Sequence, residues 1–260
     1  MRLRVLGSGS RGNSALLWVD DALLLIDAGL TIRAMTARLD EARVGFRGID
    51  HVVVTHGHLD HTRSAGILAK RHGARLHCAD TIRDHRSLGR APDHSTLTPG
   101  ASSVISTGAD SSLTIQAVRV PHDCDPTYAL RFEASGRVLS LLTDMGEPRD
   151  GVAETLSDPH VLMIESNHDQ ALLANGPYPS ALKARVAGPG GHLSNDEMAH
   201  MLKRIVGPST HTIVLVHLSQ KNNRPELALE AAHAQLRRSS RPDIRVLTAA
   251  QDRLSELIDV

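Results

Sequence analysis

Aromatic side chains are the scarcest feature of this chain: one Trp, two Tyr and two Phe in 260 residues. Platforms that grip single-stranded bases by stacking need several such rings, so sequence-specific base reading is not expected. Cysteine is nearly as rare. Cys78 and Cys124 lie far apart with no CxxC spacing, which excludes a disulfide framework and a thiolate metal cluster and fits free thiols in a reducing compartment. An excess of one charge is also missing, because 29 basic residues meet 29 acidic ones; any phosphate partner must be drawn by a local site. No apolar run reaches membrane-spanning length, and Met1 leads into the strand-like Leu3 to Leu6 without a charged leader or apolar h-region. A cytoplasmic protein without membrane association is expected. No repeat, low-complexity tract or linker divides the chain, so one domain over residues 1–260 is expected, large enough to bury its own core.

The pattern that is present alternates strands and helices. Leu3 to Leu6, Ala15 to Val19, Leu23 to Ile26 and Val52 to Thr55 read as strands, with a helix around Thr31 to Arg43. Ser64 to His72 has helical spacing, Arg75 to Cys78 returns as a strand, and Thr81 to Gly89 reads as a short helix. Further strands are expected at Leu113 to Val120, Tyr128 to Glu133, Val138 to Thr143, Val161 to Glu165 and Ile213 to Val216. Helices are expected at Val152 to Leu156, Pro179 to Ala187, Asn195 to Ile205 and Pro225 to Arg238, the third opened by an S-x-x-E capping box from Ser194 to Glu197. Two sheet-rich halves that each carry helices suggest a layered α/β sandwich.

Chemistry concentrates in the run His56-Gly57-His58-Leu59-Asp60-His61, three imidazoles and a carboxylate within six residues. This donor set suits Zn, Fe, Mn or Ni at neutral pH. A histidine-rich turn of this HxHxDH pattern would arise by chance in roughly one chain in two hundred of this composition. Three more residues each follow a strand: His122 after Val120, Asp144 after Thr143 and His217 after Val216. Ligands scattered in sequence but placed at strand ends are how an α/β enzyme builds a site on a rigid scaffold.

With these residues together the chain resembles the metallo-β-lactamase superfamily of dinuclear metallohydrolases, whose fold is a four-layer αβ/βα sandwich. The resemblance implies one metal on His56, His58 and His122, a second on Asp60, His61 and His217, and Asp144 bridging both. It also implies that Asp27, in LLLIDAG, orients the ligand loop. An aspartate at the bridging position is similar to the phosphodiesterase, nuclease and glyoxalase branches, in which two close metals lower the pKa of a bridging water and clamp the oxygens of a phosphate displacement. The stretches LGSGSRGNS, ESNHD (Glu165 to Asp169), Gly176 to Asn195 and HLSQKNNRPELA resemble the YycJ/WalJ-type bacterial group, regarded as exonuclease-like, over nearly the whole chain. The implied activity is 5′-to-3′ exonuclease action on DNA or RNA ends, with two divalent ions as cofactors, Zn or else Mn or Fe.

Within those stretches, Asp60, His192 and His168 are the candidate catalytic residues, the two histidines as general acid or phosphate ligand. The Ser8 to Ser14 loop is a candidate anion nest, and Ser8, Ser10, Asn13, Ser219 and Asn222 are candidate substrate contacts. Two other readings stand beside the nuclease: a hydrolase of small cyclic phosphodiesters, thioesters or lactones on the same metals, and a metal-stabilised interaction module without catalysis. Neutral charge and few aromatics favour the small-molecule reading; the complete ligand set argues against the inert one.

Overall fold

The computed structural model describes residues 1–44 and 48–260. The chain forms two compact units, Met1–Ala117 with Phe132–Arg137 and Ala250–Val260, and Val118–Arg131 with Val138–Ala249.

The first unit begins as an antiparallel meander of β1 (Arg2–Gly7), β2 (Ser14–Val19) and β3 (Ala22–Ile26). It continues in parallel through β4 (His51–Val53), β5 (Arg75–Cys78) and β6 (Asp93–Thr96). The strand ALLLI of β3 is buried along its whole length, as expected where helices cover a parallel sheet and alternation disappears. Helix α1 (Ile32–Glu41) starts at Thr31, whose side chain accepts from the Ala34 amide, and buries Met35 and Leu39. The short helix α2 (Leu59–Thr62) is followed by α3 (Ala65–His72), which buries Leu68 and Ala69 in the core built on Leu16, Leu25 and Val52.

A second mixed sheet is ordered β13-β12-β11-β10-β9-β8-β7. Its strands are β7 (Ser102–Ser106), β8 (Ser112–Val120), β9 (Thr127–Ala134), β10 (Arg137–Leu142), β11 (Val161–Glu165), β12 (Thr212–Val216) and β13 (Arg245–Thr248). The run from β10 to β13 is parallel, whereas β7 and β8 are antiparallel. In the second unit α4 (Asp150–Thr155), α7 (Asn195–Ile205) and α8 (Pro225–Arg238) share a core with this sheet. Met198, Met201 and Leu202 of α7 and Ala228, Ala232 and Leu236 of α8 lie with Ile164 and Leu215. Burying each large apolar side chain stabilises the fold by about 1.5–3 kcal/mol. Between β11 and α7 come two short helices, α5 (Gln170–Asn175) and α6 (Ser180–Val186). The closing strand β14 (Ile258–Asp259) pairs with β1.

Two mixed sheets carrying helices are the α/β fold that the resemblance implies, and the long elements match the sequence reading closely. The helix expected at Thr81 to Gly89 is reduced to one 3-10 turn at Asp80–Ile82. The Ser87 carbonyl is engaged elsewhere, accepting from the Gly66 amide. Strands β6, β7 and β13 were not expected, because DHST, SSVIS and RVLT lack a continuous apolar run; β6, β7 and β13 lie at sheet edges, where two-sided burial is not required. Helix α5 also escaped the pattern, being held by a local cap in which the Asp169 carboxylate accepts from the Leu172 amide at 2.8 Å. No helix among the described residues is long and apolar enough to cross a membrane.

Candidate metal centre

In the first unit the chain leaves β3 at Asp27, which takes a left-handed conformation (φ 53°) and turns its side chain back to the next strand end. Its carboxylate is buried and accepts from the Thr55 amide at 2.9 Å, from the Thr55 hydroxyl and from His61 Nδ1 at 2.7 Å. A proton on Nδ1 fixes the tautomer of His61 and makes Nε2 its lone-pair atom, the support that ligating histidines use. Asn13 Nδ2 lies 3.0 Å from that same Nε2 and Asp60 Oδ2 lies 3.7 Å from it. The His56 ring is 4.9 Å from His58 and 4.2 Å from His61 between centroids.

The ligand loop is stitched to LIDAG by backbone bonds, from Ala28 N to His61 O at 2.7 Å and from Ser64 N to Ala28 O at 2.8 Å. Only glycine fits at 29, because a Cβ there would lie 1.5 Å from the Asp60 carbonyl oxygen.

The second unit gathers His122, Asp144, His192 and His217 from four separate segments. Asp144 and His217 each follow a strand in the left-handed region, φ 55° and 56°, as Asp27 does. His122 Nδ1 donates to the Gly191 carbonyl at 3.0 Å, which turns its Nε2 to within 3.9 Å of Asp144 Oδ1. Ligand atoms of Asp144, Glu165, His192 and His217 all lie within 4.8 Å of one another.

At the centre of this group is Glu165, the last residue of β11 and 0% exposed. One of its oxygens accepts from His217 Nδ1 at 2.9 Å and from His192 Nδ1 at 2.8 Å; the other accepts from the Met145 and Leu193 amides. Burial alone would raise the Glu165 pKa, but His192 and His217 outweigh it and hold the carboxyl down to about 2. Conversely, burial opposes the charge on His217, and Asp144 and Glu165 overcome it to push the ring up to about 10. His192 is raised in the same way, against burial, by Glu165.

Sequence reasoning gave Glu165 no role. The available signal was an acid closing the otherwise apolar strand VLMIE, since a carboxylate in such a place is almost never fully buried without partners.

The glycine-rich loop does not form the expected anion nest. Its amides at Ser8, Gly9, Arg11, Gly12 and Asn13 already donate to Ala250 O, Asn13 Oδ1, Gln251 Oε1, Gly9 O and Asp60 O. Ser8, Asn13, Ser219 and Asn222, expected to touch substrate, are buried, while Ser10 is exposed. Asn13 attends His61, and Ser219 Oγ accepts from the Asn222 amide at 3.2 Å.

The segments around them form a polar clamp. Asn167 Nδ2 donates to His217 O at 2.9 Å, Ser166 Oγ to Asn195 Oδ1 at 2.6 Å, and Asn223 Nδ2 to Ser166 O at 2.8 Å. The ESN, LSN and KNN stretches thus tie together the loops that carry His192 and His217. His168, grouped with His192 from sequence, is 2% exposed, and burial lowers its pKa despite Glu165. It lines a cavity with Leu173, Ala174 and Lys183.

The donors fit a divalent metal: imidazoles whose second nitrogen is held by a buried carboxylate or carbonyl, with an oxygen ligand beside them and no thiolate. The clusters are suited to metal binding. The family described as the beta-lactamase superfamily domain matches residues 23–218, so the chain belongs to that superfamily and is a metallohydrolase of its fold. Within it, the chain matches curated relatives of the YycJ/WalJ type. Exodeoxyribonuclease WalJ of Streptococcus pneumoniae is 34% identical over 228 residues, covering 86% of this chain and 84% of the relative. Exodeoxyribonuclease YycJ of Bacillus anthracis is 29% identical over 230 residues, covering 88% and 86%. Among solved structures, the metallo-β-lactamase fold protein YhfI of Bacillus subtilis shares the fold at a TM-score of 0.72, with 17% identity and 98% of each chain covered.

Proposed function

We propose that this protein is a phosphodiesterase that removes nucleotides from nucleic-acid ends as a 5′-to-3′ exonuclease. In this reading residues 1–260 act as one catalytic domain in the cytoplasm. The observation that carries it is the Asp144–Glu165–His192–His217 group, buried except for His192, in a chain whose relatives are named exodeoxyribonucleases.

His56, His58 and His122 would hold one divalent ion and Asp60, His61 and His217 the other, with Asp144 as a ligand shared by the two, the ions being Zn, Mn or Fe. Such a pair, when bound, supplies a water activated near neutral pH and neutralises charge on the phosphate. Asp27 and Glu165 keep His61 and His217 in the ligating tautomer. His192 is the proton donor to the leaving oxygen: its Nδ1 is held by Glu165, its ring is 22% exposed, and Glu165 raises its pKa against the effect of burial.

The test is hydrolysis of 5′-phosphorylated oligonucleotides by metal-loaded protein, followed by product polarity. Cleavage is expected in the wild type and reduced to background in Asp60→Asn and Asp144→Asn; undiminished cleavage in either variant would falsify the mechanism. A hydrolase of small phosphodiesters, thioesters or lactones is the second reading, favoured by zero net charge and few aromatics. Turnover of such esters with no salt-dependent oligonucleotide binding would select it.

A further inference from the structure

The second unit contains a cavity of about 400 Å³ that the proposed metal ligands do not line; His168, Leu173, Ala174, Lys183 and Ala184 wall it together with Ala187, Gln170 and Glu197. Its volume falls in the range of about 300–1,000 Å³ typical of small-molecule sites. Three features of its wall specify the occupant.

Ala174, Ala184 and Ala187 expose only methyl groups on α5 and at the end of α6, so with Leu173 they offer flat apolar faces to a planar ring. His168 lies 2% exposed in the wall, and its Nδ1 has no hydrogen-bond partner among the described residues. A buried ring nitrogen left unsatisfied is destabilising, a cost that a ligand supplying the missing hydrogen bond removes. Finally, the charges balance. Lys183, whose ammonium donates to the Ala174 carbonyl at 2.6 Å, is matched in the wall by Glu197, while Gln170 brings both an amide donor and an acceptor. A balanced wall with donors and acceptors suits a neutral heterocycle better than a phosphate.

We infer that this cavity binds a nucleobase, that of the terminal nucleotide, between α5 and α6. The inference rests on the exonuclease reading for the origin of the base. The position is consistent with it. His168 is three residues beyond Glu165, and its backbone bridges to Ser194, two residues beyond His192. A base held here belongs to the nucleotide whose phosphate lies at His192. His168 is therefore a base-binding residue and not a second acid.

The experiment is titration of the metal-loaded protein with the four deoxynucleosides, which carry no phosphate, followed by ligand-observed NMR, with inorganic phosphate as the control probe. Saturable binding is expected in the wild type. It should weaken at least about tenfold in Ala184→Phe, which fills the slot from an exposed helical position, and in His168→Leu, which removes the ring nitrogens. Because His168 is buried and replacing it puts folding at risk, Ala184→Phe is the deciding protein. No nucleoside binding, binding equal in wild type and Ala184→Phe, or binding displaced by phosphate overturns the inference. Oligonucleotide hydrolysis by the wild type is scored separately: its absence overturns the exonuclease reading, whereas nucleoside titration alone judges the cavity.

Discussion

Each unit carries its own cluster of candidate metal ligands, and the two are built from opposite kinds of sequence by the same physics. In the first, three histidines and an aspartate arrive within six residues, and in the second His122, Asp144, His192 and His217 come from segments spread over almost a hundred residues. Yet each cluster is organised by one buried carboxylate that takes the Nδ1 proton of a histidine, Asp27 for His61 at 2.7 Å and Glu165 for His217 at 2.9 Å. Ligand spacing is therefore free to vary, because what a metal site needs is a fixed tautomer and ring direction. The carboxylates differ in load. Asp27 also holds Thr55, while Glu165 serves a second imidazole and two backbone amides.

That difference can be broken experimentally. Glu165→Gln is expected to lower metal affinity and kcat by about 100-fold and Asp27→Asn by about tenfold, within the range for partners of metal-bound histidines. Bound metal per chain and kcat, measured on the same preparations, check this; equal losses would mean that the extra partners of Glu165 carry no weight.

A smaller effect separates the units by acid sensitivity. His77, in the first unit, is buried beside His51, with the two ring nitrogens 3.0 Å apart, and burial lowers its pKa from 6.5 to about 4. Its neutral form is favoured by folding, so this contribution is fully present above pH 6.5 and is lost as pH falls from there towards 4. The whole shift corresponds to about 3 kcal/mol. His217 in the second unit has the opposite sign: without metal its contribution is present below pH 6.5 and lost as pH rises through about 10. Thermal unfolding between pH 7 and 4.5 should show a flatter acid slope for His77→Gln; an unchanged slope removes His77 as the cause.

The smallest effect is expected at the capping box of α7, where Ser194 Oγ accepts from the Glu197 amide and the Glu197 carboxylate from the Ser194 amide. Ser194→Ala should cost about 1 kcal/mol in denaturant unfolding. A change below a few tenths would show that the polar clamp around Asn195 holds the helix start without the cap.

Much of this was legible in the sequence. Long elements declared themselves by apolar periodicity or by caps: Val161–Glu165, Asn195–Ile205 and Pro225–Arg238 have the observed bounds. His122, Asp144 and His217 could be placed after strands because each follows an apolar run that ends abruptly. Short polar edge strands had no such signature, and the glycine-rich loop looked like a nest because its amides' acceptors, at Gln251 and Ala250, lie at the far end of the chain.

By itself, the sequence determined the donor chemistry, since three imidazoles and a carboxylate at HGHLDH declare a metal loop whatever surrounds them. It also determined the family, and with it the fold. Only the tertiary structure decided which polar groups are already satisfied: that Glu165 anchors two histidines and that Asn13 attends His61. The physical reason is that periodicity and ligand type are local properties of a chain. The partner of a buried hydrogen-bonding group is chosen among residues that only folding brings within about 3 Å.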